Sequence, residues 1–110
     1  MELAPNTIRQ LQEYCARRSS QRGFDDETAA ERLIVLAEEV GEVMKAYRRS
    51  AQMHVNQTDK EPPNVGEELV DVLAMVCAVA NTLGIDLETD FRAKDAAVDK
   101  RTYPRTRTLT

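Results

Sequence analysis

The stretch Thr28–Tyr47, TAAERLIVLAEEVGEVMKAY, decides the fold. It opens on a capping box: the Thr28 side chain can cap free backbone N–H groups, and Glu31, three residues on, reaches back. Leu33, Leu36, Val40, Val43 and Tyr47 then recur at spacings of three and four, the period of one helix face. This spacing predicts an amphipathic helix from Thr28 to about Ala51, with those five residues as its core stripe. Glu38, Glu39 and Glu42 lie within it.

Working outward, Thr7 to Gln21 carries Ile8, Leu11, Tyr14 and Cys15 at helical spacing and ends at Gly23. Downstream, Gln52 to Pro63 is a polar loop that includes a solvated His54 and finishes on the stiff pair Pro62-Pro63. Asn64 caps a third helix, with Glu67 as its capping-box partner. That helix runs to about Leu83, where Gly84 stops it, and its stripe is Val65, Leu69, Leu73, Val76, Ala80 and Leu83. Asp86 caps a fourth, from Leu87 to about Arg101. No strand pattern competes. The expected architecture is all-α and four-helix bundle-like, one domain over residues 1–104 followed by a basic tail, 105–110.

Composition excludes several classes. The chain has 110 residues and a formal net charge of -4, which argues against nucleic-acid binding through bulk charge. Cys15, Cys77 and the single His54 are too few for a zinc site of the usual kind and do not form a secreted disulfide framework. There is no apolar signal core and no stretch of membrane-spanning length, so a cytoplasmic protein with no membrane segment is expected.

A second acidic cluster, Glu67-Glu68-Leu69-Val70-Asp71, matches the first. Helix surfaces are rich in Glu, and any one of these acids alone reads as a solvated side chain. Their angles argue otherwise. With Leu36 as the centre of its stripe, Glu39 lies about 60° off and Glu42 about 120° off on the same side. Glu38 points further toward the back. With Leu69 as centre, Glu68 lies about 100° off and Asp71 about 160° off, again on one side. Both pairs therefore flank apolar faces. Carboxylates crowded across a helix interface repel unless a cation neutralises them, and an all-oxygen set suits Mg²⁺.

These residues also carry a resemblance. Leu36-Ala37-Glu38-Glu39-Val40-Gly41-Glu42, followed by Glu68-Leu69-Val70-Asp71, resembles the paired EExxE and ExxD motifs of the MazG-like, all-α nucleoside triphosphate pyrophosphohydrolases, whose relatives include dCTP pyrophosphatases and dimeric dUTPases. Ala80-Asn81-Thr82-Leu83-Gly84-Ile85-Asp86-Leu87 and Lys100-Arg101-Thr102-Tyr103-Pro104 are similar to segments that follow the second motif there. Arg22-Gly23-Phe24 is similar to a short motif ahead of the first. Two departures stand out: family members often carry Trp where Phe24 stands and Asn where Asp99 falls.

The resemblance implies hydrolysis of a nucleoside triphosphate between its α and β phosphates, in the role of nucleotide-pool house-cleaning. It implies Glu39, Glu42, Glu68 and Asp71 as ligands of Mg²⁺, with Mn²⁺ as a substitute, and a homodimer or homotetramer as the working form. Glu38 is the candidate general base or an orienting carboxylate, with a solvated Glu as the alternative. The segment from Arg92 to Arg107 holds six basic and two acidic side chains, and Lys94, Lys100 and Arg101 are its candidates for phosphate oxygens. Phe24 or Tyr14 is placed to stack on a base, and Asn81 to hydrogen-bond a sugar or base; each also reads as ordinary core or surface. The rival readings are a non-catalytic interaction module of the same fold, a phosphoribosyl-ATP pyrophosphohydrolase, and a di-iron bundle, which needs a Glu-x-x-His pairing that the acidic helices lack.

Overall fold

The computed structural model describes residues 2–53, 61–102 and 104. Four helices and no strand are found among them: α1 (Thr7–Gln21), α2 (Ala29–Ser50), α3 (Val65–Leu83) and α4 (Leu87–Asp99). His54, Tyr103 and the 105–110 tail lie outside the described residues.

Three helix starts follow the sequence. Thr28 Oγ1 accepts the Glu31 N–H at 3.1 Å, and its hydroxyl donates to Glu31 Oε1 at 3.1 Å. Asn64 Oδ1 accepts the Glu67 N–H at 3.1 Å. Asp86 Oδ1 accepts the Glu88 N–H at 3.1 Å. At the end of α3, Gly84 takes φ 67°, and the Ile85 N–H returns to the Ala80 carbonyl at 2.9 Å. Glycine, with no Cβ, adopts that φ at no steric cost.

The start of α1 is different. Asn6 precedes it at φ 63° and makes no side-chain cap. The cap comes instead from α4: the Glu88 carboxylate accepts the N–H groups of Asn6, Ile8 and Arg9 at 2.7, 2.8 and 3.2 Å. Arg92 Nε closes on the same carboxylate at 3.0 Å. Burial pushes the Glu88 carboxyl up, but these hydrogen bonds outweigh it and hold its pKa below the ordinary value. A buried anion at a helix N-terminus also gains from the helix dipole.

Other polar pins hold the helices. Gln12 is buried; it donates to Asn81 Oδ1 at 3.0 Å and to the Ile85 carbonyl at 2.6 Å, and accepts the Leu87 N–H at 3.0 Å. Arg32, also buried, donates to the Ala78 and Phe24 carbonyls at 3.0 and 2.8 Å and to the Thr82 and Ser19 hydroxyls at 3.0 and 3.1 Å. One guanidinium thus ties α1, α2 and α3 together.

α2 packs along α3, α1 packs on α3, and α4 docks on α1. The axis turns 105° between α3 and α4, so the fourth helix runs crosswise rather than completing a parallel bundle. The apolar stripes also need correcting. Between α2 and α3 the half-buried row on α2 is Leu36, Glu39 and Val43, with Ala46 buried. Leu33, Val40 and Tyr47 are exposed, as are Leu69, Leu73 and Leu83 on α3. The reason is width: the apolar arc of α2 also takes in Ile34 and Met44, more than one neighbouring helix covers. Among the described residues only Ala46, Cys77 and Ala80 are fully buried apolar side chains.

Candidate metal centre

Packing α2 against α3 brings the two acidic clusters together. Glu39 on α2 and Glu68 and Asp71 on α3 each place a carboxylate oxygen within 4.8 Å of the others. Glu39 and Glu68 are half-buried, and Asp71 is exposed. Glu39 is in this position because it shares the α3-facing row with Leu36 and Val43. Glu68 follows Val65 and precedes Val72, both half-buried, by helical spacing.

The site is electrostatically unfavourable as three bare anions. Burial pushes the Glu39 carboxyl up, and repulsion from Asp71, Glu68, Glu42 and Glu38, in falling order, pushes it further. A divalent cation removes that repulsion. The donors are all hard oxygens, with no His or Cys among them, which fits Mg²⁺ or Mn²⁺ and not a structural zinc.

Glu42 stands one turn beyond Glu39 and joins Glu68 in lining a polar cavity of about 270 Å³. Glu38 is exposed and contributes least of the four neighbours to the field at Glu39. Glu39 and Glu68 border the packed faces, whereas Glu38 and Glu42 are exposed and stand outside the three converging carboxylates.

The remaining candidates are spread more widely. Phe24 lines a second cavity of about 440 Å³ with Leu11, Tyr14, Val70 and Leu73. Val35, Ala74 and Met75 also wall it; Val35 lies one turn before Glu39, and Ala74 and Met75 one turn after Asp71, so this cavity adjoins the acidic centre. Asn81 has its amide engaged by Gln12: it accepts from Gln12 Nε2 and donates to the Gln12 carbonyl at 3.2 Å. Lys94, Lys100 and Arg101 are exposed on α4 and just past it. The twelve steps from Asp71 to Leu83 rise about 18 Å along α3, and α4 then turns away onto α1. The cations of α4 and the acids of the same chain are therefore apart.

From sequence Lys45 reads only as a cation that offsets Glu42 within the helix, and Arg49 is missed; both line the 270 Å³ cavity beside Glu42 and Glu68. The signal was present: they follow Glu42 at i+3 and i+7, on one helix face.

No curated protein matches the chain in sequence. The MazG nucleotide pyrophosphohydrolase domain family matches residues 27–102. That stretch begins in the turn before α2 and ends just past α4, so it takes in both acid-bearing helices whole, and the chain belongs to the MazG nucleotide pyrophosphohydrolase domain family.

Proposed function

We propose that the chain hydrolyses a nucleoside triphosphate between its α and β phosphates, yielding a nucleoside monophosphate and pyrophosphate, in nucleotide-pool house-cleaning. The observation that carries this is the convergence of Glu39, Glu68 and Asp71 at the α2–α3 seam. These three would hold Mg²⁺, with Mn²⁺ as a substitute, and Glu42, one turn beyond Glu39, would complete the set. When bound, the metal offsets the charge that develops on the phosphates and lowers the pKa of attacking water. Glu38 is exposed beside the centre, which suits a group that takes a proton from water and releases it to solvent. The ring of Phe24 or Tyr14 stacks on the base in the apolar cavity; Asn81, engaged by Gln12, lines a separate cavity with Ala16, Asp25 and Thr82.

Lys94, Lys100 and Arg101 face phosphate oxygens from a second copy of the chain, since their own α4 leads away from the acids. The exposed apolar faces support a homodimer or homotetramer. Among the described residues fifteen large apolar side chains are exposed, more than a small monomer ordinarily leaves uncovered. Light scattering checks this: a stable monomer at working concentration overturns the shared-site reading.

The test of the reaction is metal dependence. Protein freed of metal by a chelator is expected to consume no triphosphate and to recover on addition of Mg²⁺. Glu39→Gln and Asp71→Asn are expected to stay inactive. Activity that persists without metal, or in both variants, overturns the proposal.

A further inference from the structure

We infer that Lys45 and Arg49 hold the two phosphates that leave as pyrophosphate, which fixes the direction in which the triphosphate lies along the α2–α3 seam. The inference rests on the reaction proposed above and adds to it residues and a polarity.

Two cavities flank the acidic centre on opposite sides. Toward the start of α2 and the end of α3 lies the apolar one, with Tyr14, Phe24 and Leu73 in its walls. Toward the end of α2 and the start of α3 lies the polar one, lined by Glu42, Lys45, Arg49, Asn64 and Glu68 among others. Glu39 and Asp71 stand between them. A nucleoside triphosphate has the same order of chemistry: an aromatic base, the phosphate next to its sugar and a highly charged two-phosphate tail. Arg18, Arg22 and Arg32 also line the apolar side, with Arg18 donating to Gln21 and Arg32 to four acceptors within the fold, so the rings decide the direction: the polar side offers an aromatic base none to stack on. The scissile anhydride then falls at the carboxylates.

The polar cavity is built for such a tail. Along α2, Lys45 and Arg49 lie about 4.5 and 10.5 Å beyond Glu42 by helical rise. Arg49 donates to the Glu61 carbonyl, which holds its guanidinium at the cavity wall. Across from them α3 begins at Val65, and the dipole of its first turn favours an anion. The volume of about 270 Å³ is on the order of nine waters at about 30 Å³ each, enough for two phosphate groups with part of their hydration. Glu42, Glu61, Glu67 and Glu68 also line it, so the two cations are outnumbered until a divalent ion sits on the carboxylates. Pyrophosphate is therefore held only together with the metal.

The experiment is calorimetric titration of pyrophosphate, and separately of a nucleoside monophosphate, into the wild type, Lys45→Gln, Arg49→Gln and Lys45→Arg, with and without Mg²⁺. Thermal melts establish that each variant is folded. The wild type is expected to bind pyrophosphate only with Mg²⁺. Lys45→Gln and Arg49→Gln are each expected to weaken that binding about ten- to a hundred-fold, the worth of a charge-assisted hydrogen bond, and to leave monophosphate binding unchanged. Lys45→Arg is expected to retain most of it. Turnover by the wild type with unaltered pyrophosphate binding in both Gln variants overturns this inference alone, as does an equal loss of monophosphate binding. A wild type that neither turns over triphosphates nor binds pyrophosphate overturns the proposed reaction with it.

Discussion

Replacing Glu39 with Gln is expected to make the metal-free protein more stable and to abolish its response to Mg²⁺. The carboxylates of Glu68 and Asp71 have oxygens within 4.8 Å of Glu39. At that distance a pair of unit charges repels by about 0.9 kcal/mol in water and about 3.5 kcal/mol at an effective dielectric of 20. Asp71 is exposed, and salt screens the pair further, so the low end applies. Two neighbours then give about 1–2 kcal/mol of relief in the neutral variant. For a domain of this size that raises the melting temperature by roughly 4–8 °C per kcal/mol. The assay is a pair of thermal melts for each protein, in chelator and in millimolar Mg²⁺. The wild type is expected to start lower and rise with Mg²⁺; the variant is expected to start higher and stay flat, while losing activity. A metal-free variant that melts at or below the wild type, or one that still rises with Mg²⁺, refutes the reasoning. The acids would then be a solvated face.

Further expectations concern pH, the cap of α1 and the buried guanidinium. Glu39 binds its proton more tightly folded than unfolded, so its contribution to metal-free stability is present at low pH and lost as pH rises from the ordinary carboxyl value of 4.5 through the raised one. Mg²⁺ affinity, measured by titration across that window, is expected to fall as pH falls. Asp86, whose pKa is lowered chiefly by its hydrogen bond with Arg9, and Glu88 act in the opposite sense: their stability is present above the unfolded value and lost as pH falls through the lowered one. Glu88→Ala strips the acceptor from three backbone N–H groups and from Arg92, and its melting temperature is expected to drop further than that of Arg9→Ala at the exposed Arg9–Asp86 pair. Arg32→Leu leaves four acceptors without their donor and is expected to destabilise by about 2–4 kcal/mol in denaturant unfolding.

The parts of the molecule governed by local chemistry were readable from sequence. Capping residues at Thr28, Asn64 and Asp86 and the stop at Gly84 act within a few residues of themselves, so α2, α3 and α4 start close to where their side chains dictate. Angular position on a helix follows from residue number alone, which is why Glu39, Glu68 and Asp71 could be singled out from sequence and do converge, while the exposed Glu42 stands outside that group. What failed were the questions that depend on a neighbour. Leu33, Val40 and Tyr47 share the period of Leu36 and Val43, and nothing local says which half of a broad apolar arc α3 will cover. Glu88 reads as an ordinary acid in the first turn of α4; its role as the cap of α1 depends on a fold that brings residues 80 positions apart into contact. Arg32 was hidden in the same way, a cation inside an apolar run whose four partners come from three separate segments. No helix among the described residues is long and apolar enough to cross a membrane by itself.

If, as proposed, the carboxylates at the α2–α3 seam direct cleavage to the anhydride between the α and β phosphates, the products carry the signature. Phosphorus NMR of the products tests the proposal most directly. A panel of ribo-, deoxyribo- and modified triphosphates is incubated with the wild type and Mg²⁺, beside Glu39→Gln. Monophosphate and pyrophosphate are expected in equal amounts from at least one substrate, and neither from the variant. Diphosphate with orthophosphate, or the same products from Glu39→Gln, would contradict the proposal.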